Sequence, residues 1–348
     1  GSTAHLARNK LWEAQSVRRA GEVPGSRVRS RSRRSLIRGP MQTIAISGAT
    51  GFAGRALVER LAGENHRYHL KCLIRRKKDR EPSKAAGIEW VPGDVTSRND
   101  LEALVAGADT VVHLAGLTRA LNADEFHTTN TRSTAMLVSA ARRAGVRTFL
   151  LVSSLAASRP DVSPYAWSKA IGETAAQVLA GDMKLIILRP PAVLGPADSA
   201  TRDVMQLLKR GWLPCPGGAH GTVFSWIDVE DLAQFTTQMI ESPPDGQRLD
   251  VSPYSGRSAS WADIAAAGEE ASGRKVTCIG LPAPLVRGAG LCATLVSKVT
   301  RKPLILSKGK ANELLQDEWL SDTPVDVPSP LHETLSRCFL QMGENRPT

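Results

Sequence analysis

Ser47-Gly48-Ala49-Thr50-Gly51-Phe52-Ala53-Gly54 is the stretch on which the fold turns. It follows Thr43-Ile44-Ala45-Ile46-Ser47, an apolar run that reads as a buried strand, and it opens a segment from Gly54 to about Leu61 that reads as a helix. Its glycines recur at i, i+3 and i+6. Between a strand and a helix, such a loop lets the backbone come close to a pyrophosphate and aims helix N–H groups at it. A glycine string alone is a weak signal, since a tight turn with close helix–strand packing also needs small residues. Its place at the head of an alternating strand–helix series makes it a dinucleotide signature.

That series continues outward. Strands are expected over residues 69–74, 88–91, 110–114, 148–153 and 184–188, with helices over 99–105, 124–144 and 164–179 between them. Continuous apolar strands separated by helices mean a parallel sheet covered on both faces. The fold class is therefore α/β, a Rossmann-type doubly wound parallel sheet. After Pro190 the rhythm breaks, and Pro and Gly accumulate as far as Gly221. Helices are expected over 202–209, 261–270 and near the C-terminus. The expected division is a cofactor-binding domain over 41–190 and a smaller C-terminal substrate-binding lobe over 191–348, interleaved with the last sheet strands. The apolar run from Leu281 to Val299 reads as a core helix or a lid; with few basic residues of its own, it fits a membrane-surface contact less well.

The second strand ends in Ile74-Arg75-Arg76-Lys77-Lys78. An NAD site usually carries an acidic residue here to hold the ribose 2′-hydroxyl. Arginines in its place suit a 2′-phosphate, which a planar guanidinium grips better than an ammonium. NADP(H) is therefore favoured over NAD(H), through Arg75 and Arg76.

Tyr165-Ala166-Trp167-Ser168-Lys169 places a phenol and an ammonium four residues apart, on one face of the helix that Pro164 opens. A nearby positive charge favours the phenolate, so such a tyrosine can exchange a proton closer to neutrality than its ordinary pKa of about 10. The string is weak alone and gains weight from the glycine loop.

Composition sets the remaining bounds. The net charge of +11 invites a nucleic-acid reading, but residues 1–40 carry ten Lys/Arg against two acidic residues, leaving about +3 for the rest. Those forty residues are Arg/Ser-rich and open on Gly1-Ser2, which resembles a protease scar, with Met41 just before the first strand. They read as a disordered non-native or mis-started extension, with an Arg/Ser-rich transit peptide as the alternative. Cys72, Cys215, Cys278, Cys292 and Cys338 lack metal-ligand spacing, which fits a reducing cytoplasm and no metal site. No run of eighteen apolar residues argues for a spanning helix.

With these residues in view, the chain resembles the short-chain dehydrogenase/reductases, in the extended or atypical branch of NAD-dependent epimerase/dehydratases, 3β-hydroxysteroid dehydrogenases and dihydroflavonol-type reductases. The resemblance runs from Met41 to about Ala233. It rests on the glycine loop, Gly93-Asp94-Val95, Val112-His113-Leu114-Ala115-Gly116, Asn130, Ser153-Ser154, Tyr165 to Lys169, Arg189-Pro190-Pro191 and Ile227-Asp228-Val229-Glu230-Asp231. It implies a catalytic set of Ser154, Tyr165 and Lys169, with Ser154 rather than Ser153 holding the substrate oxygen and Lys169 lowering the tyrosine pKa. It implies a cofactor seat of Gly48, Thr50, Gly51, Phe52, Ala53 and Gly54, with Asp94 and Val95 at the adenine. Leu114, Ala115, Gly116, Pro190, Pro191 and Val193 would line the rest. His113 reads as structural, Asp228 and Asp231 as capping and loop-fixing residues, and Asn130 as a helix-positioning residue.

Ala192 stands where the nucleotide-sugar enzymes of this family carry an Asn, and it cannot donate a side-chain hydrogen bond. Trp167, Val193, Leu194, Trp212, Phe224 and Trp226 are apolar pocket candidates, and Thr118 and Arg119 polar ones at the mouth. The expected activity is hydride transfer between NADP(H) and a carbonyl or secondary alcohol on a flat or lipophilic small molecule. A nucleotide-sugar epimerase or dehydratase and a non-catalytic NAD(P)-binding accessory protein are the alternatives. Ala-rich helices near 134–144 and 170–180 offer a homodimer interface, with packing inside the monomer equally open.

Overall fold

The computed structural model describes residues 41–64, 66–75 and 85–344; the expectations for residues 1–40 and for Arg76 lie outside them. Strands β1 (Gln42–Ser47), β2 (Tyr68–Ile74), β3 (Ile88–Pro92), β4 (Thr110–His113), β5 (Thr148–Val152) and β6 (Lys184–Leu188) alternate with helices α1 (Phe52–Ala62), α2 (Arg98–Val105), α3 (Ala123–Phe126), α4 (Ser133–Arg143) and α5 (Pro164–Leu179). The strands pair in parallel. A seventh parallel strand, supplied by Arg248–Val251, pairs with β6 and completes the order β3-β2-β1-β4-β5-β6 on that edge.

The sheet is doubly wound because successive residues of each strand feed different cores. Ile44 and Ile46 pack with Leu57 and Leu61 of α1 on one face. Ala45, between them, packs on the other face with Leu101 and Leu104 of α2 and with Leu137 of α4. All three β1 side chains are fully buried, and the polar Ser47 that ends the strand is buried with its hydroxyl on His113. The order reverses between β1 and β4. The loops that follow these two strands therefore diverge and open a crevice at the carboxyl edge of the sheet.

The single helix expected over 124–144 is three segments. Between α3 and α4 the backbone forms a π-helical stretch, His127–Arg132. The one-residue excess turns both Asn130 and Thr131 inward, where each is buried. Asn130 Oδ1 accepts from Leu117 N at 2.7 Å, and Asn130 Nδ2 donates to Leu117 O and Ser168 Oγ, both at 3.0 Å. Thr131 Oγ1 donates to Ser168 O at 2.9 Å. These demands from α5 and the loop after β4 override the regular α period.

The remainder folds over the carboxyl edge. In chain order it comprises β7 (Ala192–Leu194), α6 (Ser199–Lys209), β8 (Trp212–Pro216), β9 (Val223–Asp228), α7 (Val229–Glu241), β10 (the Arg248–Val251 strand), β11 (Pro253–Tyr254), β12 (Gly256–Ala259), α8 (Trp261–Ser272), β13 (Thr277–Leu281), α9 (Ala283–Thr300), α10 (Lys308–Leu314), β14 (Glu318–Trp319), β15 (Thr323–Pro324) and α11 (Leu331–Glu344). A third apolar core joins Met205 and Leu208 of α6, Ile264 of α8 and Leu335 of α11. Asp228 caps α7 by accepting from Glu230 N at 2.8 Å and also takes Thr334 Oγ1 at 2.6 Å and the Arg337 guanidinium. Asp231 takes Ser255 Oγ, Ser329 N and Ser329 Oγ. Both carboxylates are thus spent on holding the chain together, as capping and loop-fixing residues. Among the described residues no helix is long and apolar enough to cross a membrane, and no group of His, Cys, Asp or Glu could hold a metal ion.

Candidate active site

The glycine loop is shaped by contacts that exclude a side chain. Gly48 has φ of +80°, and a Cβ there would sit 2.5 Å from Ala115 N. A Cβ on Gly54 would fall 2.0 Å from Gly48 O. The loop therefore closes on itself, with Gly51 N donating to Gly48 O at 3.0 Å, while lying against the loop after β4. Gly51, at the N-cap of α1, offers no side-chain acceptor to the first-turn N–H groups. A helix start left open in this way, walled by bare backbone, fits a diphosphate.

Gly48, Gly51, Phe52, Ala53 and Gly54 line one end of a cavity of about 1540 Å³. Leu114 and Gly116 continue its wall after β4, and Pro190, Pro191 and Val193 close it after β6. Thr50, Arg75, Asp94, Val95 and Ala115 are not on this wall. Thr50 O accepts from Arg55 Nε at 2.9 Å. Arg75 is exposed just beyond β2. Asp94 Oδ1 receives Thr96 N at 2.8 Å and Thr96 Oγ1 at 2.6 Å, and Val95 packs under the core beside α2.

Ser154, Tyr165 and Lys169 meet midway along the cavity. Ser163 caps α5 by accepting from Ala166 N at 3.0 Å, and Pro164 sits in the first turn, where a missing N–H costs nothing. Tyr165 is thereby held at the start of α5 and Lys169 one turn later. Leu155 N donates to Pro190 O at 2.9 Å, which keeps the serine pair beside the proline pair. Ser154 Oγ accepts from Ala156 N at 3.2 Å, leaving its proton to point elsewhere. Ser153 is buried, and its hydroxyl has no hydrogen-bond partner among the described residues.

Electrostatics at this point run against one expectation. Burial pushes the Tyr165 phenol up to about 12; the Ser154 hydroxyl opposes this, and the Glu313 carboxylate adds to it. The lowering expected from Lys169 is absent from these influences. Lys169 Nζ donates instead to Val152 O at 3.1 Å, and burial brings its ammonium down to about 8, with Glu173 opposing. Glu173 is buried one turn further along α5 and forms a bidentate pair with Arg189 at 2.6 to 3.1 Å, which ties α5 to the end of β6. His113 bonds Ser47 Oγ at 2.5 Å and Thr134 Oγ1 at 2.9 Å, and burial drives it down to about 3. It is a neutral structural residue, as its strand position suggested.

Beyond Tyr165 the cavity enters the C-terminal half of the chain, where Val204, Leu207, Leu213, Phe224, Trp261 and Ile264 line it. Thr118, Arg119 and Trp167 are on the wall, as are Ala192 and Leu194. Arg119 Nη2 donates to Ser199 Oγ at 2.9 Å, linking the loop after β4 to α6. Trp212 and Trp226, expected in the pocket, do not line it; Trp226 is buried under Gly256. Sequence reasoning missed Glu313. Its Oε1 accepts from Ser163 Oγ at 2.5 Å and its Oε2 from Lys310 Nζ at 3.0 Å. No local signal marks it, because it lies 150 residues from the serine it holds. A smaller cavity of about 460 Å³ between α6 and α11 contains none of the catalytic candidates.

The model of the NAD dependent epimerase/dehydratase family matches residues 44–251. A ceramide reductase of Caulobacter vibrioides is 36% identical over 285 residues, which span 82% of this chain and 87% of that enzyme. The human epimerase family protein SDR39U1, solved with NADPH, superposes with a TM-score of 0.65 at 21% identity, covering 88% of this chain and 100% of that one. The Bordetella bronchiseptica enzyme WbmH, solved with NAD+, gives 0.66 at 18% identity over 88% and 100% of the two chains. At these identities the two structures bear on the fold.

Proposed function

The chain belongs to the NAD dependent epimerase/dehydratase family of NAD(P)-dependent enzymes, and on that premise we propose that it is an NADP(H)-dependent reductase of a carbonyl on a long-chain lipid, a keto lipid of ceramide type, with Tyr165 as proton donor. The observation that carries this reading is the cavity that runs from the glycine loop past Ser154 and Tyr165 into an apolar compartment. Its Val204, Leu207, Leu213, Phe224, Trp261 and Ile264 walls suit an alkyl chain. The similarity to a ceramide reductase supports the same substrate class.

In this reading the N–H groups that open α1 and the bare backbone of Gly48, Gly51 and Gly54 hold the diphosphate. Arg75 and Arg76 grip the 2′-phosphate, Thr50, Asp94 and Val95 shape the adenine end, and Lys169 holds the nicotinamide ribose. The bound nicotinamide supplies the hydride. Ser154 and Tyr165 both donate to the carbonyl oxygen and stabilise it as negative charge develops there. Tyr165 then surrenders its proton. A phenol near 12 stays protonated at neutral pH, the form that can donate to a carbonyl oxygen. The apolar walls exclude water and strengthen each of these interactions.

The test is NADPH and NADH consumption over long-chain keto lipids, short ketones and UDP-sugars. Wild-type protein is expected to oxidise NADPH with the long-chain ketone, with Tyr165→Phe about 10³-fold slower. A wild-type rate no higher than the mutant's on every carbonyl would sink the reading. Conversion of a UDP-sugar without net NADPH change would replace it with the epimerase. In the double variant Arg75→Ala/Arg76→Ala, NADPH preference over NADH should fall by about tenfold or more; an unchanged preference removes the arginine clamp.

A further inference from the structure

Among the described residues, helix α9 leaves an apolar face uncovered. Of its eighteen residues only Val286, Gly290 and Ser297 are buried, along the narrow face that meets α10; a Cβ on Gly290 would lie 2.7 Å from Ala311 Cβ. Leu285, Leu291, Leu295, Val296 and Val299 stand 49–84% exposed. Leu291, Leu295 and Val299 recur at i, i+4 and i+8 and so form one stripe. The core or lid expected for this segment leaves that stripe unexplained.

Charge says what covers it. From Ala271 to Asn312 there are eight basic residues, among them Arg287, Lys298, Arg301 and Lys302, and no Asp or Glu. An apolar stripe in a wholly basic frame matches an anionic bilayer surface, where the stripe enters the acyl boundary and the Lys and Arg side chains meet headgroups. A second copy of the same face would set like charge against like. The stripe also adjoins the mouth of the active-site cavity: Thr294 and Lys298 of α9 line it, together with Leu304, Ile305 and Leu306 in the segment that follows. Leu304 and Ile305 are themselves 39% and 37% exposed.

We propose that α9 and the 301–306 segment form a docking surface for an anionic lipid bilayer, lying on the membrane with the cavity mouth opening against it. The surface requires no assumption about the substrate; its use as an entry route rests on the lipid-carbonyl reading above.

The test is co-sedimentation of the full chain with phosphatidylglycerol/phosphatidylcholine vesicles and with pure phosphatidylcholine vesicles, which reads no activity. Wild-type protein should sediment with the anionic vesicles and not with the neutral ones. Leu291→Glu/Leu295→Glu/Val299→Glu, with its thermal unfolding checked, should partition on the order of tenfold less. The exposed Cys292 thiol on the same helix gives a second reading without substitution: anionic vesicles should slow its alkylation. No binding, equal binding by the triple variant, or an unprotected Cys292 overturns the proposal. Equal binding would assign the membrane contact to another basic stretch, such as residues 1–40. Protection of Cys292 that rises with protein concentration in the absence of vesicles would assign the face to a second copy.

Discussion

Tyr165 is a phenol tuned by a carboxylate that the local sequence does not reveal. Glu313 reaches the N-terminus of α5 through Ser163 and raises the Tyr165 pKa through its charge. Removing that charge makes the phenolate easier to form, so the pKa must fall. Glu313→Gln is expected to move the limb of the pH–rate profile assigned to Tyr165 to lower pH by about half a unit to one unit, with the Ser163 hydrogen bond retained by the amide. An unmoved limb would mean that Glu313 serves only to hold α10. The glycines, Ser154, Tyr165 and Lys169 were legible because short strings that are weak alone fall in order along one alternating strand–helix series. Glu313 was not, since only the folded chain brings it to the site. Trp226 shows the converse: an aromatic residue near a site in sequence is as well used for packing, while Trp212 stands exposed off the cavity.

At the scale of elements, the alternating apolar runs gave away the parallel sheet, because a strand covered on both faces is built mostly of apolar residues. The short strands β7, β8 and β9 were harder to see. β8 carries Pro214 and Pro216, which read as loop, and its partner β13 lies some sixty residues later in the chain. The π-helical stretch was equally hidden, because it answers to Leu117 and Ser168 rather than to its own periodicity. Asn130 is the residue that makes the distortion useful, since it clamps the backbone of the loop that walls the cavity. Asn130→Ala leaves Leu117 N and O without these partners and should cost about 1–3 kcal/mol in urea unfolding. It should also weaken NADPH binding, measured by fluorescence titration. A stability loss with binding intact would confine the clamp to a structural part.

Across the whole molecule, the C-terminal half joins the sheet through β10, which pairs with β6, through Leu232, Phe235 and Ile240 of α7 in the first core, and through ion pairs. Arg189 joins Glu173 on α5 and Asp250 on β10, and Asp228 joins α7 to Thr334 and Arg337 of α11. Asp228 is fully buried, so its charge is tolerable only with these partners in place. Asp228→Asn keeps the shape, removes the ion pair and should cost about 1–3 kcal/mol, read as a lower urea midpoint. An unchanged midpoint would show that α11 is held by its apolar contacts with α8 alone. A change of rhythm after Pro190 was visible in sequence, but the Arg189–Asp250 and Asp228–Arg337 pairs were not, since they cross 61 and 109 residues of chain. The Asp228–Arg337 pair has a further bearing on how the protein is made. The carboxylate emerges from the ribosome 109 residues before its guanidinium partner. At about 5–20 residues per second, the nascent chain carries that unpaired group for roughly 5–20 s. Until α11 is synthesised, the nascent chain has its cofactor loop and most of its sheet, but the buried Asp228 carboxylate lacks its guanidinium partner.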